Sequence, residues 1–305
     1  MIEILLDATI RAGTSILFAT TGAIIMERSG VINLGIEGLM LIGALAGFAT
    51  ANLTGSLFLG VIAAFIAALA AGAIHGLVTV ILRGNQIVSG LSLTLFGIGI
   101  TALFGRGMVG RTIQEFSRIE IPLLSDIPFI GPLFNQDILV YFSIFIVLMV
   151  RFFFYKTKWG LYLRSVGENP AAADTSGISV VKYRMMAVLI GSGIAGLGGA
   201  YLSLAYTPFW VENMTAGRGW IAVALVIFSQ WHATRAVFGA YLFGGVDALQ
   251  LRMQAMGTEI STHILAVMPY LFTIVVLVIS TIRLGKGATP EPESLGVPYD
   301  REDRK

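Results

Sequence analysis

Residues 57–82 read LFLGVIAAFIAALAAGAIHGLVTVIL, a run that contains no Asp, Glu, Lys or Arg. An α-helix of about 20 residues is long enough to cross the roughly 30 Å hydrocarbon core of a bilayer. This run therefore predicts a transmembrane helix. Its many glycine and alanine residues allow helix backbones to approach closely in lipid, so we expect the helix to lie in a tightly packed bundle.

Apolar runs of similar length recur along the whole chain, separated by short polar stretches. They predict an all-α, polytopic membrane protein. We place nine transmembrane helices near residues 8–26, 34–53, 57–82, 87–105, 137–155, 184–207, 219–231, 236–251 and 262–282. The seventh would be only about 20 Å long. It is either a partial crossing that lines a polar cavity or a helix whose limits are misplaced.

Composition excludes several other classes of protein. Of the 305 residues, 56% are hydrophobic and 12% are charged, against about 45–50% and about 25% in soluble domains. Because the chain has no cysteine, it has no disulfide, thiolate metal site or cysteine nucleophile. Its net charge of +2 and its scattered basic residues do not indicate a nucleic-acid partner. Glu3 and Asp7 stand where a signal peptide carries positive charge, so we expect no cleaved signal.

Lys and Arg residues are distributed unevenly between the two sides of the predicted bundle. Most of the 20 fall on the side that holds loop 156–183 and the C-terminal tail. The positive-inside rule therefore predicts a cytoplasmic C-terminus, and an odd number of crossings places the N-terminus outside. We assign residues 1–283 to a transmembrane domain that includes the cytoplasmic loop. Residues 284–305, which are rich in proline and charge, are expected to form a disordered cytoplasmic tail.

The predicted cytoplasmic loop contains local signals for a short helix, within the sequence GENPAAADTSGI at residues 167–178. Asn169 is a favourable N-cap, and Pro170 suits the first helical position because it lacks a backbone N–H. Gly177 suits the end of a helix. We therefore predict a helix over residues 170–176 on the cytoplasmic face.

This stretch resembles the coupling helix of ABC importer permeases in the branched-chain amino acid, ribose and nucleoside group. The resemblance extends over nearly the whole chain, through SGVINLGIEGLMLIGA (29–44), GNQIVSGLSLTLFG (84–97), GRGWIAVALVIF (217–228) and FGAYLFGGVDALQLRMQ (238–254). The chain looks most like the simple-sugar and nucleoside permeases, which work with a basic-membrane-lipoprotein type of binding protein. One departure is WHATRA (231–236), where many relatives would have a proline after the tryptophan.

The resemblance implies a non-catalytic permease subunit of an ATP-driven importer in the cell membrane, with no cofactor in this chain. A separate ATPase subunit would bind ATP, since the chain has no G-x-x-x-x-G-K-[ST] phosphate loop. The other implied partners are a second permease, in a heterodimer or alternatively a homodimer, and an extracytoplasmic substrate-binding lipoprotein. The solute would be a nucleoside or a simple sugar. The implied ATPase contacts are Glu168, Asn169, Pro170, Ala171, Ala172, Ala173 and Gly177.

Polar side chains inside the predicted spans mark a candidate translocation pathway, because burying them in lipid is unfavourable. Glu37 and Asp247 are the clearest cases, with structural pairing or snorkelling as the alternative. The neutral candidates, which suit a hydroxyl-rich or heterocyclic solute, are Asn33, Gln86, Ser89, Ser92, Gln230 and Gln250. For each serine, a helix-packing hydrogen bond is the simpler explanation. The predicted docking site for a binding protein comprises Glu212, Asn213, Arg218 and Trp220.

The same residues leave other classes of function as alternatives. A branched-chain amino acid permease would share the coupling helix. An ion-coupled secondary transporter would also have glycine-broken helices and buried polar groups, but it would not need a helix for an ATPase. The chain shows no catalytic set for an intramembrane enzyme and no charged ring for a channel. His75, His232 and His263 lack the spacing of a metal site, so we expect core or interface roles for them.

Overall fold

The computed structural model describes residues 2–256 and 291–301, and between them residues 264, 267–268, 271–275, 278 and 282. Its α-helices are α1 (Ile2–Glu27), α2 (Ile36–Thr54), α3 (Leu57–Gly76), α4 (Gln86–Gly105), α5 (Ile138–Lys156), α6 (Lys158–Glu168), α7 (Pro170–Thr175), α8 (Val180–Tyr201), α9 (Arg218–Phe228) and α10 (Ala233–Ala255). Two π-helical turns, Leu77–Ile81 and Leu202–Tyr206, extend α3 and α8. Strands β1 (Arg118–Glu120) and β2 (Asn135–Asp137) pair in antiparallel fashion.

Six of the described helices are long and apolar enough to cross a membrane: Glu3–Glu27, Ile36–Thr54, Leu57–Ile81, Gln86–Met108, Ile138–Lys156 and Val180–Tyr206. They correspond to the first six predicted spans. The seventh prediction matches α9, which has 11 residues and a length of about 16 Å. The eighth matches α10. Of the 21 residues of the ninth, at 262–282, eleven lie outside the described residues, and His263 is one of them.

Helices α1 and α8 form the centre of the bundle. In α1, 89% of the apolar window is buried, against 28% in α3 and in α4. The two central helices approach closely at Gly22 and Gly191. A Cβ atom added to Gly22 would lie 2.3 Å from the carbonyl oxygen of Gly191, closer than side-chain atoms tolerate. Small residues thus bring these helix backbones into contact, as expected for packing in lipid.

The two ends of the bundle differ in structure. At one end, called the hairpin end, Arg118 of β1 pairs with Asp7 of α1, with 3.2 Å between Nη2 and Oδ2. At the other, called the α7 end, Nη1 of Arg28 lies 4.0 Å from Oε1 of Glu168, in the last turn of α6. The connection between α4 and α5 therefore contains both strands, at the hairpin end.

The α7 end contains more ordered structure than the sequence predicts. Helix α6 was not predicted, because its mixed polar and apolar residues lie within the predicted cytoplasmic loop 156–183. Its N-cap is Thr157, whose Oγ1 accepts a hydrogen bond from the Gly160 N–H at 3.1 Å. The tail was expected to be disordered, but residues 291–301 lie against this end, with Ser294 buried and its N–H donating to the Gly167 carbonyl at 3.0 Å. The remainder of 284–305 lies outside the described residues.

Candidate coupling helix and translocation site

The short helix predicted in the loop is present as α7, and its sequence explains both of its ends. The Asn169 side chain accepts a hydrogen bond from the Ala172 N–H at 2.9 Å, and Pro170 occupies the first helical position. Gly177 has φ of +80°, a conformation that glycine adopts without strain. The Ile178 N–H then donates to the Ala173 carbonyl at 3.0 Å, which satisfies a carbonyl at the helix end.

Most of the predicted ATPase contacts are available at the surface. Pro170 is half-buried, and Ala173 is buried with 3% exposure. Ala173 therefore anchors α7 to the bundle, and its side chain does not face outward. The exposed members of the set are Glu168, Asn169, Ala171, Ala172 and Gly177.

Glu37 joins the beginning of α2 to the beginning of α9. Its Oε1 accepts hydrogen bonds from Oγ1 of Thr215 at 2.5 Å and from the Gly217 N–H at 2.9 Å. Its Oε2 accepts one from the Gly219 N–H at 2.6 Å. The first backbone N–H groups of a helix have no partner within the helix and attract negative charge. Glu37 is 3% exposed, and these three donors hold its carboxylate in place.

Asp247 has a different partner, the guanidinium of Arg218. Nη2 of Arg218 lies 2.7 Å from Oδ2 of Asp247, and the side chains are 13% and 24% exposed. The Arg218 guanidinium also lies over the ring of Tyr206, 5.4 Å from its centroid. The structure thus brings together one residue predicted for the pathway and one predicted for the docking site. Arg218 lies inside the bundle with Asp247, whereas Glu212, Asn213 and Trp220 are exposed.

A second polar group surrounds Ile32, in the non-helical segment between α1 and α2. The Ile32 N–H donates to Oε1 of Gln86 at 2.7 Å, and its carbonyl lies 3.1 Å from Nε2 of His75. Nδ1 of His75 is 2.9 Å from Oγ of Ser89. Nε2 of Gln86 is buried and has no hydrogen-bond partner among the described residues. The structure therefore brings Gln86 and Ser89 together and adds His75.

The other pathway candidates are more scattered. Ser92 is exposed on α4 and, with His75, Ser89 and others, lines a cleft of about 490 Å³. Oδ1 of Asn33 accepts a hydrogen bond from the Gly35 N–H at 2.7 Å, so this side chain supports the turn before α2. Gln250 is buried on α10.

Gln230 lies apart from the rest of the predicted pathway, at the α7 end. Its Oε1 accepts a hydrogen bond from Arg235. The neighbouring Trp231 donates from Nε1 to Oε2 of Glu27 at 2.7 Å, which fixes the position of this turn.

Sequence reasoning missed Thr215 and the contacts of His75, although His75 is buried as expected. The partners of His75 lie on another helix and in another segment, and neither is at helical spacing from it. Thr215 lies 178 positions from the carboxylate that it contacts. No sequence signal marks either contact. Among the described residues there is also no group of three or more His, Asp or Glu that could hold a metal ion.

The sequence matches a known protein family over most of its length. Residues 4–281 match the family described as "Branched-chain amino acid transport system / permease component". The chain belongs to this permease family. Members are non-catalytic subunits of ABC transporters, and ATP is hydrolysed by a separate subunit. The permease is accordingly a multi-pass protein of the cell membrane.

Several relatives match the permease over nearly its whole length. The protein named glucose ABC transporter permease protein TsgC13, from Haloferax volcanii, is 42% identical, with 98% of each chain covered. The guanosine ABC transporter permease NupQ from Bacillus subtilis is 33% identical, covering 100% of this chain and 98% of its own. The nucleoside ABC transporter permease NupC from Lactococcus lactis is 34% identical, with coverage of 94% and 93%. No solved structure matches the permease.

Proposed function

We propose that the permease imports a nucleoside or a simple sugar, driven by an ATPase subunit that docks on α7. The observation that carries the proposal is α7 itself, a helix capped at both ends that presents Ala171 and Ala172 at the surface. Small exposed side chains on a fixed helix fit a cleft in a partner. The names of the relatives, for guanosine, nucleosides and glucose, support the solute class.

The topology that we propose has nine crossings, with the N-terminus outside and the C-terminus in the cytoplasm. The distribution of Lys and Arg supports this orientation. It places the α7 end in the cytoplasm and the hairpin end outside. Helix α9 would be a partial crossing, which is tolerated where its ends are buried in protein. Residues 1–283 would form the transmembrane domain.

The complete importer would contain further subunits. ABC permeases of this family work with an ATPase and a binding protein. We propose in addition that a second, different permease completes a heterodimer and that the binding protein is an extracytoplasmic lipoprotein. ATP would be bound by the ATPase alone, and this chain would hold no cofactor.

The solute pathway that we propose is built from neutral polar groups and the Asp247–Arg218 pair. An overall neutral set of donors and acceptors suits a hydroxyl-rich or heterocyclic solute. The proposed pathway residues are Asn33, Gln86, Ser89, Ser92, Gln230, Asp247 and Gln250. For Glu37 we propose a structural role, because its carboxylate is held by donors at the start of α9. The binding protein would dock on the exposed side chains of Glu212, Asn213 and Trp220, with Arg218 close behind them.

Substitution of Ala172 tests the docking of the ATPase. The variant Ala172→Arg places a long charged side chain on the exposed face of α7, whereas Ala172→Ser keeps the residue small and serves as the matched control. The permease is purified in mild detergent, and co-purifying ATPase and solute-stimulated ATP hydrolysis are measured. We expect both to be lost in Ala172→Arg and retained in Ala172→Ser, with equal membrane insertion. Unchanged stimulation in Ala172→Arg would contradict docking on α7.

The same preparation separates the alternative functions. A branched-chain amino acid is the second candidate, because the family description names this solute class. Stimulation by leucine, isoleucine or valine, with none by guanosine or glucose, would replace the proposed solute class. Uptake into proteoliposomes by this chain alone, without ATP and with an ion gradient, would replace the ATPase-driven mechanism with secondary transport.

A further inference from the structure

The C-terminal strap, defined as residues 291–301, binds the junction between α6 and α7. Oγ of Ser294 donates a hydrogen bond to the Gly167 carbonyl at 2.6 Å, and the Ser294 N–H donates to the same carbonyl at 3.0 Å. The Glu293 N–H lies 3.4 Å from Oε2 of Glu168. Because Ser294 is only 7% exposed, this attachment is a buried contact and not a contact between two surface segments.

The same strap is attached to α8 through Arg184. This side chain is 2% exposed. It donates from Nη2 to Oγ of Ser294 at 3.1 Å and from Nη1 to the Val297 carbonyl at 2.9 Å. Its Nε donates to the Ser29 carbonyl at 3.2 Å. A buried guanidinium requires such acceptors, and two of the three belong to the strap.

A third attachment joins the strap to the segment that follows α1. The Gly296 N–H donates to the Gly30 carbonyl at 3.1 Å. Gly30 has φ of +89°, and a Cβ atom at this position would lie 2.8 Å from both Nη2 of Arg184 and Oγ of Ser294. Glycine at this position is therefore needed both for the backbone conformation and for the close approach of the strap.

The end of the strap contacts α7 and the connection between α3 and α4. Nε of Arg301 lies 3.0 Å from Oδ2 of Asp174 on α7. Asp300 forms an ion pair with Arg83, between α3 and α4. Each of these surface pairs contributes little stability alone. Together they hold the end of the strap against α7 and against the connection between α3 and α4.

We propose that the C-terminal strap transmits movement of α7 to α1, α8 and the α3–α4 connection during transport. This inference rests on the proposed function, in which an ATPase moves α7. Coupling between sites is carried by continuous sets of packed and hydrogen-bonded groups. The strap provides such a set, because the same short segment bonds to α7, to the α6–α7 junction and to the ends of the membrane helices.

The first test removes the buried hydroxyl of the strap. Ser294→Val leaves Nη2 of Arg184 without its acceptor. This change is expected to lower the equilibrium constant for attachment of the strap about tenfold or more. We expect solute uptake per ATP hydrolysed to fall about tenfold, while membrane insertion, ATPase co-purification and basal ATP hydrolysis are retained. The matched control is Val297→Ala, since Val297 is 55% exposed and only its backbone carbonyl contacts Arg184. An unchanged ratio of uptake to hydrolysis in Ser294→Val would overturn the proposal.

The second test does not depend on how Ser294→Val folds. Because the native chain has no cysteine, Asp174→Cys and Arg301→Cys together form a unique pair that a flexible bismaleimide can join. If the strap moves with α7, we expect efficient cross-linking in the double variant and none in either single variant. We also expect uptake to be retained after cross-linking. Absence of cross-linking would show that the strap does not lie against α7, which overturns the proposal. Loss of uptake on cross-linking would show that α7 must move away from the strap, which also overturns the proposal.

Failure of this inference is distinguishable from failure of the proposed function. If the native permease transports without ATP, the importer mechanism fails whatever the strap variants do. If native transport requires ATP and Ser294→Val keeps the native ratio of uptake to hydrolysis, only the strap proposal fails.

Discussion

Glu37 and Asp247 are both carboxylates in helices of the bundle, but their surroundings differ. Glu37 is 3% exposed and accepts three hydrogen bonds from neutral donors at the start of α9. Asp247 has a cationic partner, Arg218, and its side chain is 24% exposed. Burial of a carboxylate in this permease is therefore not by itself evidence of a pathway residue. Glu37 holds two helices together, and we propose that the partly exposed Asp247–Arg218 pair contacts the solute.

The largest effect is expected where a side chain would displace Glu37. In Gly219→Ala the new Cβ would lie 2.5 Å from the backbone N and Cα of Glu37, so α2 and α9 must separate. We expect destabilisation of about 1–3 kcal/mol or more, measured as a lower thermal unfolding temperature in detergent. The matched control beside Asp247 is Gly245→Ala, whose Cβ would lie at an ordinary 3.5 Å from Thr9. Equal unfolding temperatures for the two variants would contradict this difference.

The next effect comes from the Glu37 carboxylate itself. Glu37→Gln replaces one acceptor oxygen with an NH2 group, which would face either the Gly219 N–H or the pair of donors from Thr215 and Gly217. A buried donor left without an acceptor costs about 1–3 kcal/mol. We expect less folded protein in the membrane and little change in the Michaelis constant of the fraction that folds. If the variant folds like the native protein but has altered uptake kinetics, Glu37 belongs to the pathway.

Asp247→Asn is expected to change uptake kinetics more than folding, the reverse of Glu37→Gln. Asp247→Asn keeps a side-chain oxygen that can accept a hydrogen bond from Arg218, so we expect a smaller loss of stability than in Glu37→Gln. If the solute contacts this pair, a contact worth about 1 kcal/mol changes the Michaelis constant about fivefold. Uptake kinetics of Asp247→Asn, Arg218→Gln and the double variant measure the interaction free energy between the two side chains. Folding losses as large as those of Glu37→Gln would make Asp247 a structural residue as well.

The smallest effect on stability is expected from loss of the Thr215 hydroxyl at the Glu37 site. Thr215→Val removes the hydroxyl that donates to Glu37 and keeps the side-chain shape, for an expected loss of about 1 kcal/mol. Thr215→Ser keeps the hydroxyl, so its unfolding temperature is expected to stay near the native value. The reverse order of these two temperatures would show that the methyl group, and not the hydrogen bond, supports this site.

Features that depend on neighbouring residues were predictable from the sequence. Asn169, Pro170 and Gly177 specify α7 because a cap, a first residue and a terminating glycine act within a few positions. The apolar runs predicted six of the membrane helices for the same reason, and the short seventh prediction corresponds to the short helix α9.

Features that depend on distant residues were not predictable. Arg218 was placed at the outer surface, because nothing in its own segment indicates that it pairs with Asp247, 29 positions along the chain. The strap presents the same difficulty, since its composition is that of a disordered segment. Its order comes from Gly30, Gly167 and Arg184, which become its partners only when the bundle is assembled.

Uptake of labelled guanosine into proteoliposomes that contain the purified complex tests ATP-driven import through α7 most directly. We expect uptake that requires ATP and the binding protein, that is lost in Ala172→Arg, and that is retained in Ala172→Ser. Uptake that proceeds without ATP, or that is unaffected by Ala172→Arg, would contradict an importer driven through α7.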